Sequence, residues 1–141
     1  MSDAVSTAML PISNDVEMAA VRRAVRECAV QIGMSLVEQT KLVTAASELA
    51  RNALLHGGGR AEIALVESGG RRGIRLVCTD DGPGIADPAQ AMSDGYSTGG
   101  GLGLGLGGTR RLVDEFTLDT APGRGTTVTV VSWAWRAAGP R

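Results

Sequence analysis

A chain of 141 residues has room for one domain with a real hydrophobic core, and little left over for a second. Its 14 basic and 15 acidic residues leave a formal net charge of -1. No global field therefore draws in nucleic acid or an anionic membrane, and any anion site has to be built locally. Two cysteines with no C-x-x-C spacing, no signal-peptide core and no apolar run of bilayer length point to a cytoplasmic protein that is not inserted in a membrane.

The first dozen residues, ending in "AMLPI", read as a short strand or an extended lead-in. From Asp15 to Ile32, Val16, Ala19, Ala20, Arg23, Ala24, Glu27 and Cys28 recur at helical spacing, and Gly33 is a natural stop. A second helix starts at Ser35, where Glu38 three residues later completes a capping box, and runs to about His56 before Gly57-Gly58-Gly59. Two strands follow, "AEIALVE" and "GIRLVCT", joined by the glycine-rich "SGGRRG". Beyond "DDGPGI" lie one helical turn near Pro88 to Met92, a glycine stretch, and a helix carrying "TRRLVDE" from Thr109 onward. The strands "FTLDT" and "TTVTVVSWAW", separated by "APGRG", complete a two-layer α+β pattern with helices on one sheet face. Residues 136–141 read as a frayed tail on a single domain spanning 1–141.

On the second helix, Glu48, Asn52 and His56 stand at i, i+4 and i+8, one above another beside an apolar face of Leu42, Val43, Ala46, Leu49, Ala50 and Ala53. An Asn carbonyl oxygen is a hard neutral ligand suited to Mg²⁺, and a Glu one turn away is placed to deprotonate a hydroxyl. The same residues would equally serve as a solvated face, and His56 as a helix-end residue beside the last carbonyls. Asp80 closes an apolar strand, where an ionised carboxylate is costly unless a partner donates to it. The exocyclic amine of adenine is such a donor, and Gly82 and Gly84 lack the Cβ that would hold a flat base away. Against this stands the ordinary tight turn that Asp-Gly-Pro-Gly also makes.

Seven of the ten residues from Gly99 to Gly108 are glycine. Gly103, Gly105 and Gly108 formally satisfy G-x-G-x-x-G, but that fingerprint belongs directly after a strand, and here polar "SDGYSTGG" precedes it. A Walker-type loop requires a lysine, and Lys41 is the only one in the chain. Protein-kinase loops also fail, for there is no strand lysine and no H-R-D sequence. A flexible linker would not alternate glycine with Leu102, Leu104 and Leu106. What survives is a structured loop feeding a helix N-terminus, where free N–H groups hold phosphate oxygens and Arg51, Arg110 and Arg111 are auxiliaries.

Taken in order, Asn52, "DDGPGI", "GGGLGLGL" and "GRGTTVTV" resemble the GHKL ATPase superfamily of gyrases, heat-shock chaperones, mismatch-repair proteins and histidine kinases, over nearly the whole chain. The resemblance implies a two-layer α/β sandwich, the Bergerat fold, with a mixed, mostly antiparallel sheet, and it implies ATP and Mg²⁺. It makes Asn52 the magnesium ligand, Glu48 the general base and Asp80 the adenine contact. Gly82, Gly84 and Ile85 then lie beside the base, Gly101, Leu102, Gly103, Leu104 and Gly105 form the phosphate loop, and Thr126 supports the adenine aspartate through water. Within the superfamily the chain looks most like the anti-sigma-factor serine/threonine kinases, in particular the switch kinases of the stressosome. That likeness implies phosphorylation of a Ser or Thr on a STAS-domain partner, with a sigma factor, phosphatase or other regulator downstream. The alternatives it leaves are a nucleotide-bound module that sequesters a regulator, and a stand-alone ATPase.

Overall fold

The computed structural model describes residues 3–85, 87–92 and 105–137. In chain order the elements are β1 (Asp3–Ile12), α1 (Asp15–Gln31), α2 (Leu36–Leu55), β2 (Gly59–Ser68), β3 (Arg71–Asp80), α3 (Pro88–Ala91), α4 (Gly105–Arg110), β4 (Glu115–Thr120) and β5 (Thr126–Ala137). The α+β expectation holds: the five strands form one sheet in the order β1-β2-β3-β5-β4, antiparallel at every pairing, and α1 and α2 lie together on one face.

Local chemistry starts both long helices. Asn14 Oδ1 accepts the Glu17 N–H at 2.8 Å to open α1. The capping box of α2 is formed in both directions, with Glu38 N–H donating to Ser35 Oγ at 3.1 Å and Ser35 N–H to Glu38 Oε1 at 2.8 Å. Glu38 does a second job: its Oε2 accepts the Trp135 N–H at 2.7 Å, tying the start of α2 to an edge of β5 that β4 does not cover. At the far end of α2, the Gly57 and Gly58 N–H groups return to the Leu54 and Ala53 carbonyls, closing the helix as expected.

The core is the layer between the helices and one sheet face. α1 contributes Met18, Val21, Val25 and Ala29, and α2 contributes Leu42, Ala45, Ala46, Leu49, Ala50 and Ala53. Alternation on the strands turns Ala61 and Ile63 of β2, Ile74, Leu76 and Cys78 of β3, and Val128 and Val130 of β5 toward them. On the opposite face, Ala64, Val66 and Val131 make a small second cluster under Trp133. The Arg71 guanidinium stands 5.1 Å from the Trp133 ring centroid.

Three boundaries differ from the sequence reading. β1 is a full strand of ten residues, because β2 offers it partners from Gly59 to Glu67. β5 continues to Ala137, two residues into the segment expected to fray, since Ala137 still pairs with Arg71. The helix after the glycines covers "GLGGTR", not "TRRLVDE". Leu106 packs into the core and holds the earlier turn, whereas the Asp114 N–H is already committed to the Val131 carbonyl and draws the chain onto β5.

Candidate functional site

The site lies where the C-terminal half of α2 passes over the ends of β3 and β5. Helical spacing puts Glu48, Asn52 and His56 on one line beside the buried Leu49 and Ala53, and all three side chains are half-buried. His56 caps α2 with its backbone N–H on the Asn52 carbonyl. Its ring does not lie on the last helical carbonyls: Nδ1 is 3.8 Å from Asp80 Oδ2, so the end of the polar line on α2 meets the aspartate of β3.

Asp80 is the last residue in the helix-facing row Ile74, Leu76, Cys78 and Asp80, and it is 5% exposed. In the sheet it pairs with Thr126, itself buried, as Cys78 pairs with Val128 and Leu76 with Val130. Two oxygen-bearing side chains thus stand side by side where the apolar core ends. Burial pushes the Asp80 carboxyl above its ordinary value; the Gly82 N–H, donating to Oδ1 at 2.9 Å, and His56 pull the other way, while Asp81 adds to the rise. Directly beneath, the wholly buried Cys78 thiol is pushed up to about 12 and is inert at neutral pH.

The segment after Asp80 is bolted to the β4–β5 turn. Gly82 and Gly84 lack a Cβ for a reason the sequence reading did not contain. A Cβ on Gly82 would lie 2.2 Å from the His56 carbonyl oxygen, and one on Gly84, where φ is +79°, would lie 2.0 Å from the Ala121 oxygen. The space is taken by protein backbone. The Gly123 N–H donates to the Pro83 carbonyl at 2.6 Å, and the N–H of the half-buried Ile85 donates to Thr120 Oγ1 at 2.9 Å. Thr120 was not among the residues singled out from sequence. It closes an unremarkable edge strand, and its partners lie 35, five and six positions away, across two turns.

Gly105, with φ +63°, opens α4. Gly101, Leu102, Gly103 and Leu104 of the expected phosphate loop lie outside the described residues. α4 packs on α2 and α3, with Leu106 and Gly107 buried and the buried Thr109 Oγ1 donating to the Gly105 carbonyl at 2.8 Å. The chain therefore leaves the glycine stretch alongside the helix that carries Glu48 and Asn52. Of the three auxiliary arginines, Arg51 is half-buried on α2, and Arg110 and Arg111 are exposed. Among the described residues no group of three or more His, Cys, Asp or Glu could hold a metal. Asn52 offers one neutral oxygen donor of the kind a magnesium ion takes.

A second feature lies on the outer side of the helix layer. Arg22, Arg23 and Arg26 of α1 line an open cavity of about 320 Å³ with Ala19 and Val43. The periodicity of α1 includes Arg23, but the meeting with Val43 of α2 requires the packed helices. No helix among the described residues is long and apolar enough to cross a membrane.

Comparison with known proteins agrees with this geometry. Residues 37–134 match the family model described as histidine kinase-, DNA gyrase B-, and HSP90-like ATPase. The chain is 42% identical over 123 residues to serine/threonine-protein kinase RsbT of Bacillus subtilis, covering 86% of this chain and 92% of that protein. It is 30% identical over 104 residues to the anti-sigma F factor of Clostridium novyi, covering 70% of this chain and 73% of the relative. Among solved structures, that of the RsbU and RsbW domains of Rv1364c from Mycobacterium tuberculosis superposes with a TM-score of 0.64 at 22% identity, over 94% of this chain. The chain spans about a third, 34%, of the length of that structure. The chain belongs to the histidine kinase-, DNA gyrase B- and HSP90-like ATPase family. Within it, the chain is similar to RsbT along almost that protein's full length.

Proposed function

We propose that the protein is an ATP-dependent protein serine/threonine kinase of a partner-switching stress-signalling system, and that it phosphorylates a STAS-domain protein. The observation that carries the nucleotide half is the buried Asp80 carboxylate beside Thr126 at the end of the apolar core. Such a group demands a hydrogen-bond donor, and the 6-amino group of adenine supplies one. The phosphotransfer half is supported by the likeness to RsbT, a protein named as a serine/threonine kinase.

In this reading Asp80 contacts the adenine, and Gly101, Leu102, Gly103, Leu104 and Gly105 are the residues that bind the phosphates. Asn52 would hold a magnesium ion, which when bound would supply neutralisation of phosphate charge. Glu48 takes the proton of the attacking Ser or Thr hydroxyl as its oxygen bonds to the γ-phosphorus; the bond from that phosphorus to the bridging oxygen breaks and ADP leaves. The phosphorylated partner carries about two added negative charges, which weakens its docking and frees the kinase for a downstream sigma factor, phosphatase or other regulator. The arginine-lined cavity between α1 and α2 supports an acidic contact surface on the partner.

The test is transfer of label from γ-labelled ATP to a purified STAS partner. Glu48→Ala is expected to slow transfer by roughly a hundredfold or more while ATP still binds. Equal rates in both proteins remove Glu48 as the base. A second reading, favoured by the likeness to anti-sigma F factors, is a nucleotide-bound module that acts by sequestering a regulator. Regulator capture that survives Asn52→Ala while label transfer is lost makes sequestration the primary role.

A further inference from the structure

The turn before β5 contains a hydroxyl whose single proton can be assigned by counting. Thr120 Oγ1 has three neighbours: the Ile85 N–H at 2.9 Å, the Gly125 carbonyl at 3.1 Å and Thr126 Oγ1 at 2.9 Å. An N–H can only donate and a carbonyl can only accept, so Thr120 accepts from Ile85 and spends its one proton on Gly125. With all three contacts made at once, its remaining contact is an acceptance and Thr126 donates across the 2.9 Å pair, whose geometry by itself admits either donor. Thr126 has thereby used its only donor inside the protein, and toward the site it presents lone pairs alone. The wiring is held in place on the Asp80 side as well, because a Cβ at Gly125 would lie 2.3 Å from the Asp80 carbonyl oxygen.

We infer that Thr120 sets the donor–acceptor sense of the nucleobase pocket. It fixes Thr126 as an acceptor beside the acceptor Asp80, so that the pair selects a base edge carrying an exocyclic amine over one carrying a carbonyl. Thr120 itself touches no base; it is a positioning residue for specificity. The inference rests on the nucleotide reading above and adds to it the origin of discrimination at the 6-position of the purine. A pocket with two acceptors penalises a 6-oxo purine, because two oxygens would face the incoming oxygen with no proton between them. Without the Thr120 hydroxyl, the Thr126 O–H is released to turn toward the site and donate to that oxygen.

The experiment measures dissociation constants by calorimetry for ADP and for IDP, in which a 6-oxo group replaces the 6-amino group and N1 changes from an acceptor to an N–H donor in every variant alike. Wild type and Thr120→Ser are expected to share one ADP preference, whereas Thr120→Val loses about tenfold of it. A merely structural role would weaken both nucleotides alike and leave the ratio unmoved. In a Thr126→Val background, adding Thr120→Val is expected to leave the ratio where Thr126→Val put it. If Thr120→Val does not fold, Thr120→Ala is measured in its place. A wild-type ratio in the Thr120 variant, or a further change in the Thr126→Val background, overturns the inference. A wild-type protein that binds neither ADP nor IDP overturns the nucleotide reading itself, and the inference with it.

Discussion

Asp80 sets the proposed adenine contact against stability in a single side chain. Burial raises its carboxyl above the ordinary value, and the Gly82 N–H and His56 offset this only in part. Because the folded pKa lies above the unfolded one, the folded chain holds the proton to higher pH. Stability contributed by this group is therefore complete below the unfolded value, near 4, declines as pH rises through the folded value, and stays reduced at neutrality. Asp80→Asn keeps an oxygen for the Gly82 N–H and removes the charge. The variant is expected to melt at or above the wild-type temperature at pH 7, to lose that advantage at pH 4, and to have lost ADP binding; thermal melts at both pH values and calorimetry check it. An advantage that does not shrink on acidification would show that charge burial is not its source. Asp80 was legible because a carboxylate ending an apolar run is anomalous at the level of sequence alone. Thr120 was not, because its importance comes from three neighbours that only folding brings to one oxygen.

At the scale of elements, the aspartate turn and the β4–β5 turn form one unit through Thr120, Gly123, Gly125 and the close approach of Gly84 to Ala121. Gly84→Ala places a side chain at φ +79° and drives it into a carbonyl oxygen. It should cost more than about 1 kcal/mol of stability in denaturant titration, and weaken ADP as well, since the turn must move. Glu38 joins α2 to β5 through both carboxylate oxygens. Glu38→Ala is expected to cost about 1–2 kcal/mol by the same measurement, and Glu38→Gln less, because the amide oxygen still caps one of the two N–H groups. Element starts were the readable part: the capping box of α2 is written in Ser35 and Glu38. The glycine-rich helix was placed too late because Leu112 and Val113 continue a helical pattern, while pairing of Asp114 with Val131 ends it.

For the whole molecule, the two sides of α2 divide the work. One side meets Asp80 through His56, and the other closes an arginine-lined cavity with α1. Reversing charge at Arg22 and Arg26 is expected to raise the KM for a STAS partner, with ADP affinity unchanged, and the effect should fade as salt is raised. A KM that does not move with either substitution would take this cavity out of partner docking. Such a surface is invisible along the chain, since a near-neutral composition conceals a local excess that appears only when one helix face is assembled.

The sequence by itself determined the helix caps, the alternation of the strands, the α+β class and the polar line Glu48, Asn52 and His56, because each depends on residues a few positions apart. The order of its glycine and aspartate motifs also identified the family that the matched region confirms. Tertiary structure alone decided that His56 faces Asp80, that Gly82 and Gly84 are required by neighbouring backbone, and that Thr120 meets Ile85, Gly125 and Thr126. Those facts depend on which atoms meet across the sheet and between turns, and sequence separation carries no information about that until register and packing are set.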